Sequence, residues 1–191
     1  IRSGHLFGFL AEPVFTLEAI KKVDRREFFL KFSPPIKFQE NIQGDVANLS
    51  ITIEPDKTSH PGNNNYLTTY LIDALQLGFK VLLCPRIAWI KNPDLKNEWF
   101  IELAEVDVSS YQEDFGLLVS EIKQRGCGSH DLEEIGKRYS SGNDHWTEGM
   151  KKAPASEDKA IVKAFAEWAD GDAIAAHIAY KNQYFCTRDI A

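Results

Sequence analysis

Leu17, Ile20 and Val23 recur at helical spacing behind Thr16, a residue type that caps helix starts, and predict a helix over residues 16–30. Helical periodicity returns over 66–77, ends at Gly78, and gives way to the continuous apolar run FKVLLC over 79–84. A helix, a glycine and a buried strand in that order predict a parallel α/β unit. Further helices are predicted over 110–123, over 156–168 with Ser156 as cap, and over 172–181, the last followed by a strand over 184–189. The segment 1–12, with GHLFGFL at its centre, reads as a short helix or a loop entering the core. Residues 33–65 are broken by Pro34-Pro35 and by Pro61-Gly62-Asn63-Asn64-Asn65, and only LSITIE within them alternates like a strand, which predicts an insertion or long loop. Residues 127–154 are rich in glycine, serine and charge and predict at most one short helix.

Composition narrows the class. A chain of 191 residues, 43% hydrophobic, can bury the core of one domain carrying an insertion. It contains no long uncharged apolar run, which argues against a membrane span, and no segment ordered like a secretory signal. Cys84, Cys127 and Cys186 are odd in number and widely spaced, which suits free thiols in a reducing, cytoplasmic setting. The net charge of −6 gives no whole-molecule attraction for nucleic acid, so a local basic patch or bound cations would have to supply it. Both ends read as cut: the chain begins Ile1-Arg2-Ser3 without a methionine and closes at Asp189-Ile190-Ala191, directly after the predicted strand.

Two late aspartates carry the candidate chemistry. With Asp172 at the start of a helix and Asp189 at the end of the following strand, a helix packed back along a sheet brings both to the carboxyl edge, where open α/β sheets hold ligands. Two neighbouring carboxylates repel unless a cation lies between them, and hard cations such as Mg²⁺ take carboxylate oxygens and water. Taken singly, each aspartate has a structural use, Asp172 as a helix cap and Asp189 as a turn former. Their joint placement favours a site.

The stretch DAIAAHIAYKNQYFCTRD resembles the closing motif of PIN-domain nucleases in Asp172-Ala173, the small residues Ala175 and Ala176, Tyr184-Phe185 and Thr187-Arg188-Asp189. The early segment PVFTLEAIKKVDRRE is similar to the family's glutamate-bearing helix, with Glu18 at the acidic position. The likeness spans about 22 residues closely and about 15 loosely. It implies a three-layer α/β/α sandwich with a parallel sheet, in a single domain over 1–191, and metal-dependent hydrolysis of RNA phosphodiesters, an endoribonuclease activity. Glu18, Asp172 and Asp189 would hold Mg²⁺ or Mn²⁺, and Thr187 would orient a water or a carboxylate. The family opens with a strand bearing Asp followed by Thr or Ser and Asn. Residues 1–13 lack that motif, so the first acid is expected upstream of Ile1.

Asp170 is a second-line acid. Lys22, Arg25 and Arg188, with Lys21 and Arg26, are candidate phosphate contacts, and Trp146 and Tyr139 are candidate base-stacking residues, although a solvated face and core packing are the commoner uses of such residues. Cys127, His130 and His145 lack a fourth ligand at zinc spacing, Asp144-His145 reads as a loop pair, and His177 turns away from Asp172. No P-loop, dinucleotide glycine pattern or nucleophile elbow occurs. The expected partners are RNA and a protein such as an antitoxin; a homodimer is compatible with the chain. The rival readings are a non-catalytic PIN-like domain that binds RNA or protein through an incomplete acidic site, and an unrelated α/β domain in which both aspartates are caps.

Overall fold

The computed structural model describes residues 6–31, 36–43, 46–53, 65–84, 92, 94–101, 108–142 and 144–187. The elements are β1 (Phe9–Ala11), α1 (Glu12–Thr16), α2 (Arg25–Lys31), β2 (Ile36–Gln43), β3 (Val46–Ile53), α3 (Asn65–Gln76), β4 (Lys80–Leu82), α4 (Val108–Gln124), α5 (His130–Tyr139), α6 (Trp146–Lys152) and α7 (Asp158–Ala179). The fold is mixed α/β and mostly helical. β1 runs parallel to β4, with Leu10 opposite Val81 and Ala11 opposite Leu82. On the other edge of β4, Phe100 bridges Val81 in parallel, and the Ile101 N–H donates to Val81 O at 3.0 Å. The parallel unit predicted around Gly78 is therefore present, with Gly78 at φ 93° ending the α3 turn. No helix among the described residues is long and apolar enough to cross a membrane. The three cysteines are free, Cys84 buried and the other two exposed.

Several elements differ from the sequence reading, each for a physical reason. Residues 9–11 form β1 instead of a helix or loop, because an apolar run too short for a helix finds a strand partner in β4. The helix expected over 16–30 is two shorter ones. Pro13 sits in the first turn of α1, where its fixed φ suits a helix start and its missing N–H costs nothing, so the helix begins early. A turn over 17–20 then buries Leu17 and Ile20 completely while Val23 is 84% exposed. Helical spacing is thus satisfied by a turn that turns two apolar residues in and one out. The insertion around 33–65 contains an antiparallel hairpin, β2 on β3, in register from Ile36 opposite Ile53 to Gln43 opposite Val46.

The glycine-rich segment 127–154 holds two helices. A Cβ on Gly136 would lie 2.3 Å from Trp146 O, and one on Gly149 would lie 1.8 Å from Gly136 O, so these glycines let α5 and α6 touch backbone to backbone. The separate helices predicted over 156–168 and 172–181 are one continuous α7. Gly171, which reads as a break, lies inside it, and its Cβ would come within 2.9 Å of Gly128 Cα in the α4–α5 turn. The helix ends where Lys181 adopts φ 56°, with Lys181 N–H bonded to Ile178 O and Asn182 N–H to His177 O, the double bond of a left-handed C-terminal cap. Beyond it residues 184–187 form no strand and are exposed. The remainder of the predicted strand lies outside the described residues.

α7 serves two cores. Its first half carries Ile161, Ala164, Phe165, Trp168 and Ala169 into a cluster with Leu17, Ile20, Phe28, Leu132 and Met150. Its second half lays Ala175, Ala176 and Ala179 on Tyr111 and Phe115 of α4 and on Cys84. A third cluster joins α1, α3 and β4 through Phe15, Leu71, Val81 and Leu95.

Candidate functional site

Glu12 follows β1 directly, at its carboxyl end, and is only 5% exposed. The chain places it there because β1 must stop at Pro13, which cannot continue a strand's hydrogen bonding and instead starts α1. Glu12 Oε2 accepts from the Cys84 N–H, just past β4, at 2.9 Å. The acid thus spans the carboxyl ends of both parallel strands. The Thr16 hydroxyl, fully buried, donates back to Glu12 O at 3.0 Å and tightens α1.

Asp172 is 4% exposed and sits well inside α7, roughly 21 Å along the helix from its start at 1.5 Å per residue. It is therefore not a helix cap, which corrects the geometric premise taken from sequence. It reaches the interior because α7 packs on both α1 and β1, between its two apolar halves. α1, which opens with Glu12, and α7, which carries Asp172, pack on each other, and both carboxylates are buried.

Glu18 and Asp170 are exposed, and both act electrostatically on Arg25. Asp170 lies two residues from Asp172, about 200° round the helix, so the two aspartates face different ways. Arg25 is 4% exposed: its Nε donates to Ile20 O at 3.1 Å, its Nη1 to Val162 O at 2.9 Å, and its guanidinium stacks 5.2 Å from the Phe165 ring centroid. Burial lowers its pKa, while Glu18 and Asp170 oppose that shift. Sequence offers Arg25 as a phosphate contact; the fold spends it on two carbonyls and an aromatic face inside the protein. Arg26 is spent likewise, on Pro154 O, Ala153 O and Asp158, holding α2 to the start of α7. Lys21 and Lys22 are exposed in the turn before α2. Thr187 is exposed beyond the end of α7, and Arg188 and Asp189 lie outside the described residues.

The candidate stacking residues have other uses. Trp146 is buried in the main core, and the Tyr139 hydroxyl donates to Glu157 Oε1 at 2.9 Å. His145 caps α6 by accepting from Thr147 N–H, and His177 meets Phe185 edge-on at 5.2 Å. Glu12 is the acid that sequence reasoning passed over. Its signal was present: an acid directly after a short apolar run and before a proline that opens a helix.

Carboxylate oxygens are the donors that Mg²⁺ and Mn²⁺ take, and one or two protein carboxylates with water make a common set for such ions. Glu12 and Asp172 fit in kind. Among the described residues no group of three or more His, Cys, Asp and Glu side chains is placed to hold a metal ion. Comparison of the chain with protein-family models, curated proteins and solved structures returns no match.

Proposed function

We propose that the protein is a divalent-metal-dependent endoribonuclease of PIN-like architecture, with an acidic group of Glu12, Asp172 and Asp189. The observation that carries the reading is Glu12, a buried carboxylate at the carboxyl end of a parallel strand pair, the edge at which α/β sheets bind ligands, with Asp172 buried in α7, a helix that packs on α1 and β1. The sheet reading extends to a three-layer α/β/α sandwich. Val81 packs towards α3 while its neighbour Leu82, pointing to the opposite face, is also buried, so both faces of β4 are covered.

In this reading Glu12, Asp172 and Asp189 hold Mg²⁺ or Mn²⁺. A bound ion would supply a water of lowered pKa and charge stabilisation for the phosphoryl oxygens. Glu18 and Asp170 are exposed acids that act on Arg25. Lys21, Lys22 and Arg188 contact phosphates without reading sequence. Thr187 orients a water or the Asp189 carboxylate. A non-catalytic domain that binds RNA or a protein partner is the second reading. It is favoured by the structural use Glu12 already has, joining the ends of β1 and β4 through the Cys84 N–H.

The deciding assay is cleavage of an end-labelled single-stranded RNA by metal-stripped protein with and without added Mn²⁺. The proposal expects Mn²⁺-dependent cutting that falls by about 100-fold or more in Asp172→Asn and in Glu12→Gln, the order of loss seen when a key transition-state contact is removed. Equal cutting by wild type and both variants, or none by wild type, overturns it.

A further inference from the structure

At the amino end of β4, opposite the end that carries Glu12, α3 and the short 3₁₀ helix Asn97–Trp99 border a cleft of about 490 Å³. Its apolar walls are Ile72 and Leu75 of α3, Phe79 and Trp99. The wall at Phe79 follows from the way α3 stops. The Gly78 N–H donates to Leu75 O at 2.9 Å and the Phe79 N–H to Ala74 O at 3.0 Å, a cap that turns the residue after the glycine back onto the last helical turn. Gly8 makes room for the Phe79 ring, since a Cβ there would lie 2.5 Å from Phe79 Cε1. The same two bonds satisfy carbonyls that would otherwise leave this helix end negative.

The polar groups on this cleft are donors. Among the described residues the Gln76 amide and the Trp99 indole N–H make no hydrogen bond, and the Lys80 ammonium meets only Glu98 O, at 3.5 Å. The Glu98 carboxylate is 3.9 Å from Lys96, whose ammonium lies 5.3 Å from the Trp99 ring centroid. Lys80 and Lys96 set against Glu98 leave the rim net positive, in a chain whose total charge is −6. Small-molecule sites are clefts of about 300–1,000 Å³ with mainly apolar and aromatic walls and a few placed polar groups. Ammonium and N–H donors on such a wall are complementary to a carboxylate. We propose that this cleft binds a small apolar monocarboxylate, its hydrocarbon part against Ile72, Leu75, Phe79 and Trp99 and its carboxylate on Lys80 and Gln76. The site lies apart from Glu12 and Asp172 and stands or falls independently of the metal-dependent reading.

The test is a titration of the full chain with 1-naphthoate, followed through the tryptophan indole N–H signals in proton–nitrogen correlation NMR, with Trp99→Phe identifying the Trp99 signal. The expected result is a saturable shift of the Trp99 signal with a Kd of about 1 mM or tighter, the affinity that ordinary ligand efficiency gives so small a molecule. Trp146 and Trp168, in the main core, should not move. Lys80→Met, which keeps the apolar stem and removes the charge, should weaken binding about fivefold, and neutral 1-naphthamide should bind wild type more weakly by a similar factor. Ile72→Glu, which sets a carboxylate on the apolar wall, should remove binding. A Trp99 signal unmoved by about 10 mM naphthoate overturns the proposal. Equal affinity for naphthoate and naphthamide, wild-type affinity in Lys80→Met, or wild-type affinity in Ile72→Glu overturns it as well. Should either variant fail to fold, the comparison of the two ligands on wild type decides.

Discussion

At Arg25 a charged side chain works as packing material. Its two carbonyl partners, Ile20 O and Val162 O, belong to the turn after α1 and to α7, so one residue fastens two pieces of chain that share no strand or helix. Leaving a buried acceptor unpaired costs about 1–3 kcal/mol. Arg25→Met, which keeps much of the apolar stem, should therefore lower unfolding stability by about 2–4 kcal/mol in urea denaturation. Lys22→Ala, in the exposed turn nearby, should change it by no more than about 0.5 kcal/mol. The tyrosines make a pH prediction. Their folded pKa values lie above the ordinary 10.0, by burial, so the folded state keeps protons that the unfolded chain releases. That contribution to stability is complete below pH 10.0, the unfolded value, and is lost as pH rises through the folded values, the lower of which is about 12. Alkaline unfolding should accordingly steepen above the unfolded value, and Tyr111→Phe should flatten the slope. Phenolate absorbance of the native protein should show Tyr111 and Tyr180 ionising above the ordinary tyrosine value.

The helices are governed by where glycine permits contact. Gly171 sits mid-helix, where alanine is intrinsically better by about 1 kcal/mol, yet its Cβ would meet Gly128 at 2.9 Å. Gly171→Ala should therefore destabilise by about 1–3 kcal/mol, the range for overpacking. Gly116→Ala, on α4 with nothing within 4 Å of the new methyl, should stabilise by about 0.5–1 kcal/mol. Thermal melts of the two variants should move in opposite directions. The β2–β3 hairpin is the contrasting element: its extensive contacts among the described elements are between its own strands. Replacing residues 36–53 with a short glycine-serine link should leave the near-ultraviolet signature of the Phe28, Phe165 and Trp168 core unchanged, as read by circular dichroism.

Across the molecule, legibility followed locality. The α3–Gly78–β4 unit and α4 could be read because periodicity and a terminating glycine lie within one window. α5, α6 and the continuity of α7 could not, since Gly136, Gly149 and Gly171 have the composition of breakers and the function of contact points, and only the neighbouring backbone distinguishes the two. The placement of Glu12 was hidden for a related reason: a three-residue strand has too little pattern to announce itself, and its partner lies some seventy positions away, Ala11 opposite Leu82. Asp172 stood out in sequence as an acid amid small apolar residues, but at a presumed helix start; the structure buries it well inside α7. Asp189, the remaining member of the proposed acidic group, and Arg188 lie outside the described residues. The most direct test of the account is the change in melting temperature on adding Mn²⁺ to metal-stripped protein, since a ligand bound only by the folded state stabilises it by mass action. The account predicts a rise for wild type that disappears in Glu12→Gln, Asp172→Asn and Asp189→Asn; a wild-type melting point indifferent to Mn²⁺, or a rise retained by all three variants, would contradict it.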